Sequence, residues 1–172
     1  MKLSTGLHKQ MNDQIKNEFS SAYVYLSMAG YMESVNLPGF AQWLRVQARE
    51  EAGHAMRIFS HLMDRGASVI LQAIEAPPSK FTSPLAVFEQ VKAHEVGVTK
   101  SIHQLYALAM QDKDYPSQVF LEWFVTEQVE EEKTSAHILE SLRMIGDNRS
   151  ALLLLDRDMG GRISAAGGAV AS

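Results

Sequence analysis

The stretch EEAGHAM, residues 50–56, decides the fold, because Glu51 and His54 interrupt the apolar stripe of a long amphipathic helix. Residues three apart lie about 60° apart around a helix axis, so this carboxylate and this imidazole share one face. A lone pair of this kind is usually exposed. Its meaning therefore depends on whether matching polar groups occur elsewhere in the chain. The other members of the stripe are Phe40, Leu44, Gln47, Ile58 and Leu62.

Three further segments carry a polar group near the middle of a helical apolar stripe. Glu18 lies between Ile15 and Ala22, and Glu95 lies between Val91 and Val98. The fourth segment carries Gln128 and Glu131. Because each group is close to its helix midpoint, antiparallel packing brings all four to one level. Buried carboxylates that meet without a cation repel one another and lose hydration, so the pattern predicts a metal site.

The chemistry of the side chains narrows the choice of metal. Carboxylate oxygens with one imidazole suit iron or manganese better than calcium, and iron is the better choice. The chain has no cysteine, which excludes disulfides, thiolate zinc sites and iron–sulfur clusters. Its formal net charge of -4, with 20 acidic and 16 basic residues, gives no broad attraction to nucleic acid. We expect no nucleic-acid partner.

Helix breakers divide the 172 residues into four long segments and a short fifth. Residues 66–83 have two prolines and little helical periodicity, so they predict a long connection that crosses the bundle. The predicted fold is all-α: a four-helix bundle with one long crossover between helices 2 and 3, plus a short fifth C-terminal helix. One domain should cover residues 1–159, followed by a flexible Gly/Ala/Ser tail at 160–172. The predicted helices are Ser4 or Thr5 to about Val35, Pro38 to about Arg65, Pro84 to about Gln111, Pro116 to about Gly146, and Arg149 to about Met159.

The N-terminus and the hydropathy of the chain bear on location. The first residues, MKLSTGLH, lack the apolar region of a signal peptide. No apolar run approaches the roughly 18 residues that span a bilayer. We expect a cytoplasmic protein without a membrane partner.

Four motifs in order, NEFSSAYVY (17–25), EEAGHAM (50–56), AHE (93–95) and EQVEEE (127–132), give the chain a specific resemblance. It resembles the non-haem bacterial ferritins over essentially all residues to about Met159. The fourth segment has Gln128-Val-Glu-Glu131 where a second Glu-x-x-His pair would stand, so the centre should be asymmetric. Bacterioferritins place a haem-ligating methionine where this chain has Ala52, so no haem is expected. Rubrerythrins would need cysteines that the chain lacks.

The resemblance implies a set of iron ligands. Glu18, Glu51 and His54 would hold the first iron, and Glu51, Glu95 and Gln128 the second, with Glu51 bridging the two. Tyr25, one heptad after Glu18, should point at the site and supply an electron, and Trp123 has a similar but weaker claim. The resemblance also implies a third iron site nearby, held by Glu50, Glu127, Glu130 and Glu131.

The function implied is a ferroxidase that oxidises Fe(II) with O2 or H2O2 and stores iron in a cage of 24 identical subunits. Two alternatives stay open: a di-iron oxygenase or peroxide-scavenging protein, and a non-catalytic bundle with a structural metal. The extra carboxylates disfavour the last of these. Animal ferritins line their three-fold channels with carboxylates where this chain has Gln118 and Leu121, which weakens that iron access route. The sequence leaves open whether storage, detoxification or stress defence dominates.

Overall fold

A computed structural model describes residues 2–161, which form five α-helices and contain no β-strand. The predicted all-α bundle with a short fifth helix is confirmed, and the helix ends lie within a few residues of their predicted positions. The predicted tail lies, from residue 162 onward, outside the described residues. The helices are α1 Thr5–Ser34, α2 Pro38–Asp64, α3 Pro84–Gln111, α4 Tyr115–Ile145 and α5 Arg149–Met159.

Three of the four long helices begin at a side-chain cap, which satisfies an amide that the first turn leaves free. Ser4 caps α1, Ser83 caps α3 and Asp114 caps α4. Leu37, which precedes α2, supplies no such hydrogen bond. The Phe40 amide at that end instead donates to Asp156 Oδ1 of α5 over 2.9 Å. The fifth helix therefore caps the second.

The chain forms two antiparallel hairpins, α1 with α2 and α3 with α4. Residues 67–83 connect them without regular secondary structure. This crossover lies along α1: the Ile70 amide donates to Asn12, and further on the Ser27 hydroxyl donates to the Pro78 carbonyl. Those two α1 residues are about 22 Å apart along the helix axis. The crossover thus spans much of the bundle, as predicted.

The apolar core consists of two clusters with a polar layer between them. On α1, Leu7 to Ile15 belong to one cluster and Tyr25 to Met32 to the other, with Glu18 in the gap. The other three long helices show the same break, and the buried polar side chains at that level face the inside of the bundle. The predicted common level is confirmed. The groups in the gap are Glu18, Glu51, His54, Glu95, Gln128 and Glu131.

The short α5 packs against the beginning of α2. Gly39 makes this approach possible, since a Cβ at that position would lie 1.6 Å from the carbonyl oxygen of Asp156. None of the five helices of residues 2–161 combines the length and the apolar character needed to cross a membrane.

Candidate metal centre

Three side chains from α1 and α2 form the centre of the polar layer. One ligand atom of each of Glu18, Glu51 and His54 lies within 4.8 Å of the others, and no other such group of carboxylates and histidines occurs in residues 2–161. His54 Nδ1 is 3.7 Å from Glu51 Oε2 and 4.0 Å from Glu18 Oε2. All three side chains are buried. The Glu-x-x-His spacing on α2 thus places both groups beside the α1 carboxylate.

The two carboxylates have one satisfied and one unsatisfied oxygen each. Glu18 Oε1 accepts a hydrogen bond of 2.8 Å from Gln14, and Glu51 Oε1 accepts one of 3.4 Å from Gln47. Within the described part of the chain, Oε2 of both residues is buried without a hydrogen-bond donor. Buried polar atoms in native proteins are rarely left without a partner. Two such oxygens beside an imidazole nitrogen fit a bound cation.

The electrostatics of the pocket also favour positive charge. The pKa of Glu18 is raised well above its usual value by burial and then by the negative charge of Glu51. Burial likewise raises the pKa of Glu51, and the charges of Glu95 and Glu131 raise it further. Each group therefore resists ionisation unless a cation compensates the charge. Protons and metal ions compete for the same oxygens.

On the α3 and α4 side of the centre, Glu95 and Gln128 lie next to Tyr25 of α1. The Tyr25 hydroxyl donates to Glu95 Oε1, and Gln128 Nε2 donates to Glu95 Oε2 over 3.3 Å. Tyr25 is fully buried, and its pKa is raised well above 10 by burial and then by the charge of Glu95. Tyr25 points at the polar layer, as the heptad spacing from Glu18 predicts.

The four residues predicted for a third site have different environments. Glu131 is buried, and its charge contributes to the raised pKa of Glu51. Glu50 and Glu127 are half-buried. Glu130 is exposed and lies 3.5 Å from Lys133. The described side chains do not bring three of these carboxylates within 4.8 Å of one another, so the third site stays a prediction.

Aromatic rings close the centre on the α4 side. The Trp123 and Phe124 rings meet His54 edge-on, with centroids 5.3 and 5.9 Å away. The Arg57 guanidinium lies 3.9 Å above the Trp123 ring. The Trp123 ring is therefore next to the site, as expected, and carries a cation on its face.

The other histidines are packing or surface residues. His61 stacks on Phe120 with ring centroids 4.0 Å apart, and His94 meets the ring of Tyr25 edge-on. His8 is half-buried and its ring lies 2.6 Å from the Ser68 carbonyl. His103 and His137 are exposed.

Sequence reasoning assigned no role to Glu132, which belongs to an acidic run typical of a solvated helix face. It is half-buried and accepts hydrogen bonds from Thr99 over 2.7 Å and from Lys92 over 3.0 Å, and these lower its pKa. Thr99 also accepts from Gln128 Nε2 over 3.3 Å. Glu132 thus ties α4 to α3 behind Gln128. The only sequence signal for this role is that Glu132 follows Gln128 by four residues and so lies on the same face of α4. The partners of Glu132 lie on α3 and could not be identified from the sequence.

The two positions assigned to a channel do not offer carboxylates. Leu121 is fully buried in the core. The side-chain amide Nε2 of Gln118 donates to the Ala109 carbonyl over 3.0 Å. Neither side chain supplies the negative charge that would attract Fe(II).

Comparisons with known proteins agree with this geometry. A family model described as a ferritin-like domain matches residues 8–145. The bacterial non-heme ferritin of Staphylococcus aureus (strain USA300) is 38% identical over 160 residues, which cover 93% of this chain and 96% of that protein. A probable bacterial non-heme ferritin-like protein of Haemophilus influenzae is 37% identical over 158 residues, or 92% and 96% of the two chains.

Solved structures of an archaeal protein match as well. An open pore ferritin from Archaeoglobus fulgidus superimposes with a TM-score of 0.92 at 50% identity, covering 94% of this chain and 98% of that one. A closed form of the same organism's ferritin, made by site-directed mutagenesis, gives 0.93 at 49% identity, with 95% and 99% covered. Both matches extend over nearly the full length of each chain.

Proposed function

The chain belongs to the ferritin family, and from this premise we propose that it stores iron and oxidises Fe(II) to Fe(III) with O2 or H2O2. The predicted resemblance to non-haem bacterial ferritins is confirmed. The observation that carries the proposal is the pair of buried, donor-free oxygens of Glu18 and Glu51 beside His54. Iron is the substrate and the stored ion.

The proposed ligands divide into two halves that share Glu51. Glu18, Glu51 and His54 hold the first Fe(II), and Glu51, Glu95 and Gln128 hold the second. The position of Glu51 supports its bridging role, since its charge raises the pKa of Glu18 and its own pKa responds to the charge of Glu95. Carboxylate oxygens favour the Fe(III) product. Gln128 is a weaker ligand than a carboxylate, which leaves the second half more labile.

The electron balance of the proposed reaction involves Tyr25. Two Fe(II) supply two electrons, enough to reduce O2 with two protons to H2O2. Further reduction to water needs two more electrons, from additional Fe(II) and from Tyr25. The Tyr25 phenol donates its hydrogen bond to Glu95, so its proton has an acceptor when the ring loses an electron.

Trp123 is the less suitable electron donor. A guanidinium over the face of an indole is attracted to the neutral ring. Loss of an electron from Trp123 would place a positive charge 3.9 Å from Arg57. We therefore assign the donor role to Tyr25.

We propose that Glu50, Glu127, Glu130 and Glu131 hold a third iron on its way to the mineral. Glu131 supports this, because it is buried beside the centre while its neighbour Glu130 is exposed. The two neighbouring carboxylates thus extend from the buried centre to the solvent-exposed surface. Glu130→Ala should leave the first two irons bound while changing the number of Fe(II) oxidised per O2. Anomalous diffraction from Fe(II)-soaked crystals should show two peaks; three peaks with unchanged stoichiometry would remove this role.

We also propose a cytoplasmic cage of 24 identical subunits, without haem. The family supports an assembled state, and a ferroxidase needs a shell to keep Fe(III) dispersed. Light scattering should give a particle far larger than the 19.1 kDa chain. A stable monomer or dimer would contradict storage and favour the di-iron oxygenase alternative.

The experiment that tests the ferroxidase proposal is His54→Ala. The change removes the imidazole of the triad and leaves the carboxylates to repel one another, so the initial rate of Fe(II) oxidation should fall more than about 10-fold. His103→Ala and His137→Ala are matched controls, because both residues are exposed. Stopped-flow absorbance of Fe(III) gives the rate. Equal losses in all three variants would show that the ligand assignment is wrong.

A further inference from the structure

We infer that Gln14 and Gln47 are positioning residues that orient the Glu18 and Glu51 carboxylates toward the metal. The inference rests on the proposed function and deepens it. Each glutamine lies four residues before its carboxylate, one turn away on the same helix face. Gln14 Nε2 is 2.8 Å from Glu18 Oε1, and Gln47 Nε2 is 3.4 Å from Glu51 Oε1.

The hydrogen bonds divide the two oxygens of each carboxylate between two tasks. Oε1 faces the glutamine, and Oε2 faces the centre of the triad without a donor. A carboxylate held at one oxygen has little freedom to rotate, so the other oxygen is already aimed before the ion arrives. Both glutamines are buried, at 2% and 0% exposure, so water does not compete for these contacts. Neutral amides hold the carboxylates without adding a positive charge that would repel Fe(II).

The Gln14 amide is itself oriented from the neighbouring helix. The Ser101 hydroxyl of α3 donates to Gln14 Oε1, and the Asn17 amide contacts the same oxygen over 3.4 Å. A primary amide donates only through its nitrogen, so a donor at Oε1 turns Nε2 toward Glu18. The Ser101 hydroxyl therefore orients the Gln14 amide, and the Gln14 amide orients the Glu18 carboxylate. Gln47 has the longer contact to its carboxylate, so we expect a smaller effect from it.

The size of the effect follows from the role of outer hydrogen-bond partners at metal sites. Removing such a partner typically weakens metal affinity on the order of 10- to 100-fold. Gln14→Leu keeps approximate volume but removes the donor. Ser101→Ala removes only one hydroxyl at the groove between α1 and α3, so it tests the same chain with less risk to folding. Ser20→Ala is a matched control, because Ser20 lines the same groove and its hydroxyl bonds to the Lys16 carbonyl.

The test is a Co(II) titration of the assembled, metal-free, full-length protein, in which binding is measured by calorimetry and by visible absorption. Co(II) probes the ligands without being oxidised. Gln14→Leu should weaken the tight binding step on the order of 10-fold or more. Ser101→Ala should weaken it in the same direction, while Ser20→Ala should match the parent. The melting temperature of Ser101→Ala should equal that of Ser20→Ala. If Ser101 had only a structural role, any loss of Co(II) affinity in Ser101→Ala would come with a lower melting temperature.

Glu18→Ala serves as the reference that separates the two proposals. If Glu18→Ala binds Co(II) as tightly as the parent, the proposed centre itself is wrong. If Glu18→Ala loses binding while Gln14→Leu and Ser101→Ala bind like Ser20→Ala, the centre stands and the positioning role is overturned. If Gln14→Leu does not fold, Ser101→Ala alone decides between these results.

Discussion

Glu51→Gln should make the metal-free protein more stable and at the same time weaken its response to metal. Glu51 is 2% exposed, and its Oε2 has no donor within the described residues. An amide keeps the shape, removes a negative charge near Glu95 and Glu131, and can place an N–H toward Glu18 Oε2. Relieving an unsatisfied buried group is worth about 1–3 kcal/mol. We expect a gain of that size in the free energy of unfolding at pH 8.

The pH dependence follows from the raised pKa of Glu51. Between the ordinary glutamate value of 4.5 and the raised folded value, the folded protein holds a proton that the unfolded chain has lost. The free energy of unfolding therefore falls as pH rises, by about 1.4 kcal/mol per pH unit for this group. The variant should lose this contribution, while burial still raises the pKa of Glu18. The stability difference between variant and parent should grow as pH rises above 4.5.

Guanidinium unfolding, followed by circular dichroism with a chelator present, measures both effects. A second series with Co(II) at about 100 times its dissociation constant should stabilise the parent by about 2.7 kcal/mol and the variant far less. Glu140→Gln is the control, since Glu140 is exposed and its ion pair is with Arg143, three residues later on the same helix; the effect of this change should stay within about 0.5 kcal/mol. A variant less stable than the parent at pH 8 without metal would refute the reasoning.

Three other changes test separate parts of the structure. Tyr25→Phe keeps the ring packing but removes the phenol, so the first Fe(II) turnover should slow in stopped flow; a rate equal to the parent would make the residue part of the core only. Asp114→Asn breaks the 2.7 Å pair with Arg65 and should cost about 2 kcal/mol at pH 7. Because this pair lowers the Asp114 pKa from 3.8 to about 2, its stabilisation disappears as pH falls across that range. The unfolding free energies of variant and parent should therefore approach each other there, and a constant difference in denaturation experiments would contradict this. Gly39→Ala puts a Cβ 1.6 Å from the Asp156 carbonyl, so hydrogen exchange in α5 should accelerate, and parent-like protection would show that the close approach is dispensable.

The helices and the level of the site could be predicted from local signals. Ser4, Ser83 and Pro84 mark helix starts because capping and proline geometry act within one turn. The 3.6-residue period identifies the buried face, and all predicted stripe positions on α1, α2 and α3 are buried. Carboxylates near the midpoints of such stripes come to the same height in the bundle when the helices pack side by side, whatever the exact packing. Periodicity alone thus predicted which residues share one level of the bundle.

Periodicity does not determine which partner each side chain selects, and here only the tertiary structure decided. The Ser101–Gln14 contact joins residues 87 apart in sequence, and the Asp156–Phe40 cap joins residues 116 apart. Glu132 has the local pattern of a solvated acidic residue, yet it bonds to Thr99 on α3. Such pairs depend on the axial register and rotation of neighbouring helices, which the packing of the whole core sets. A sequence therefore shows which face is buried, and the fold determines which oxygen has a donor and which is left for a metal.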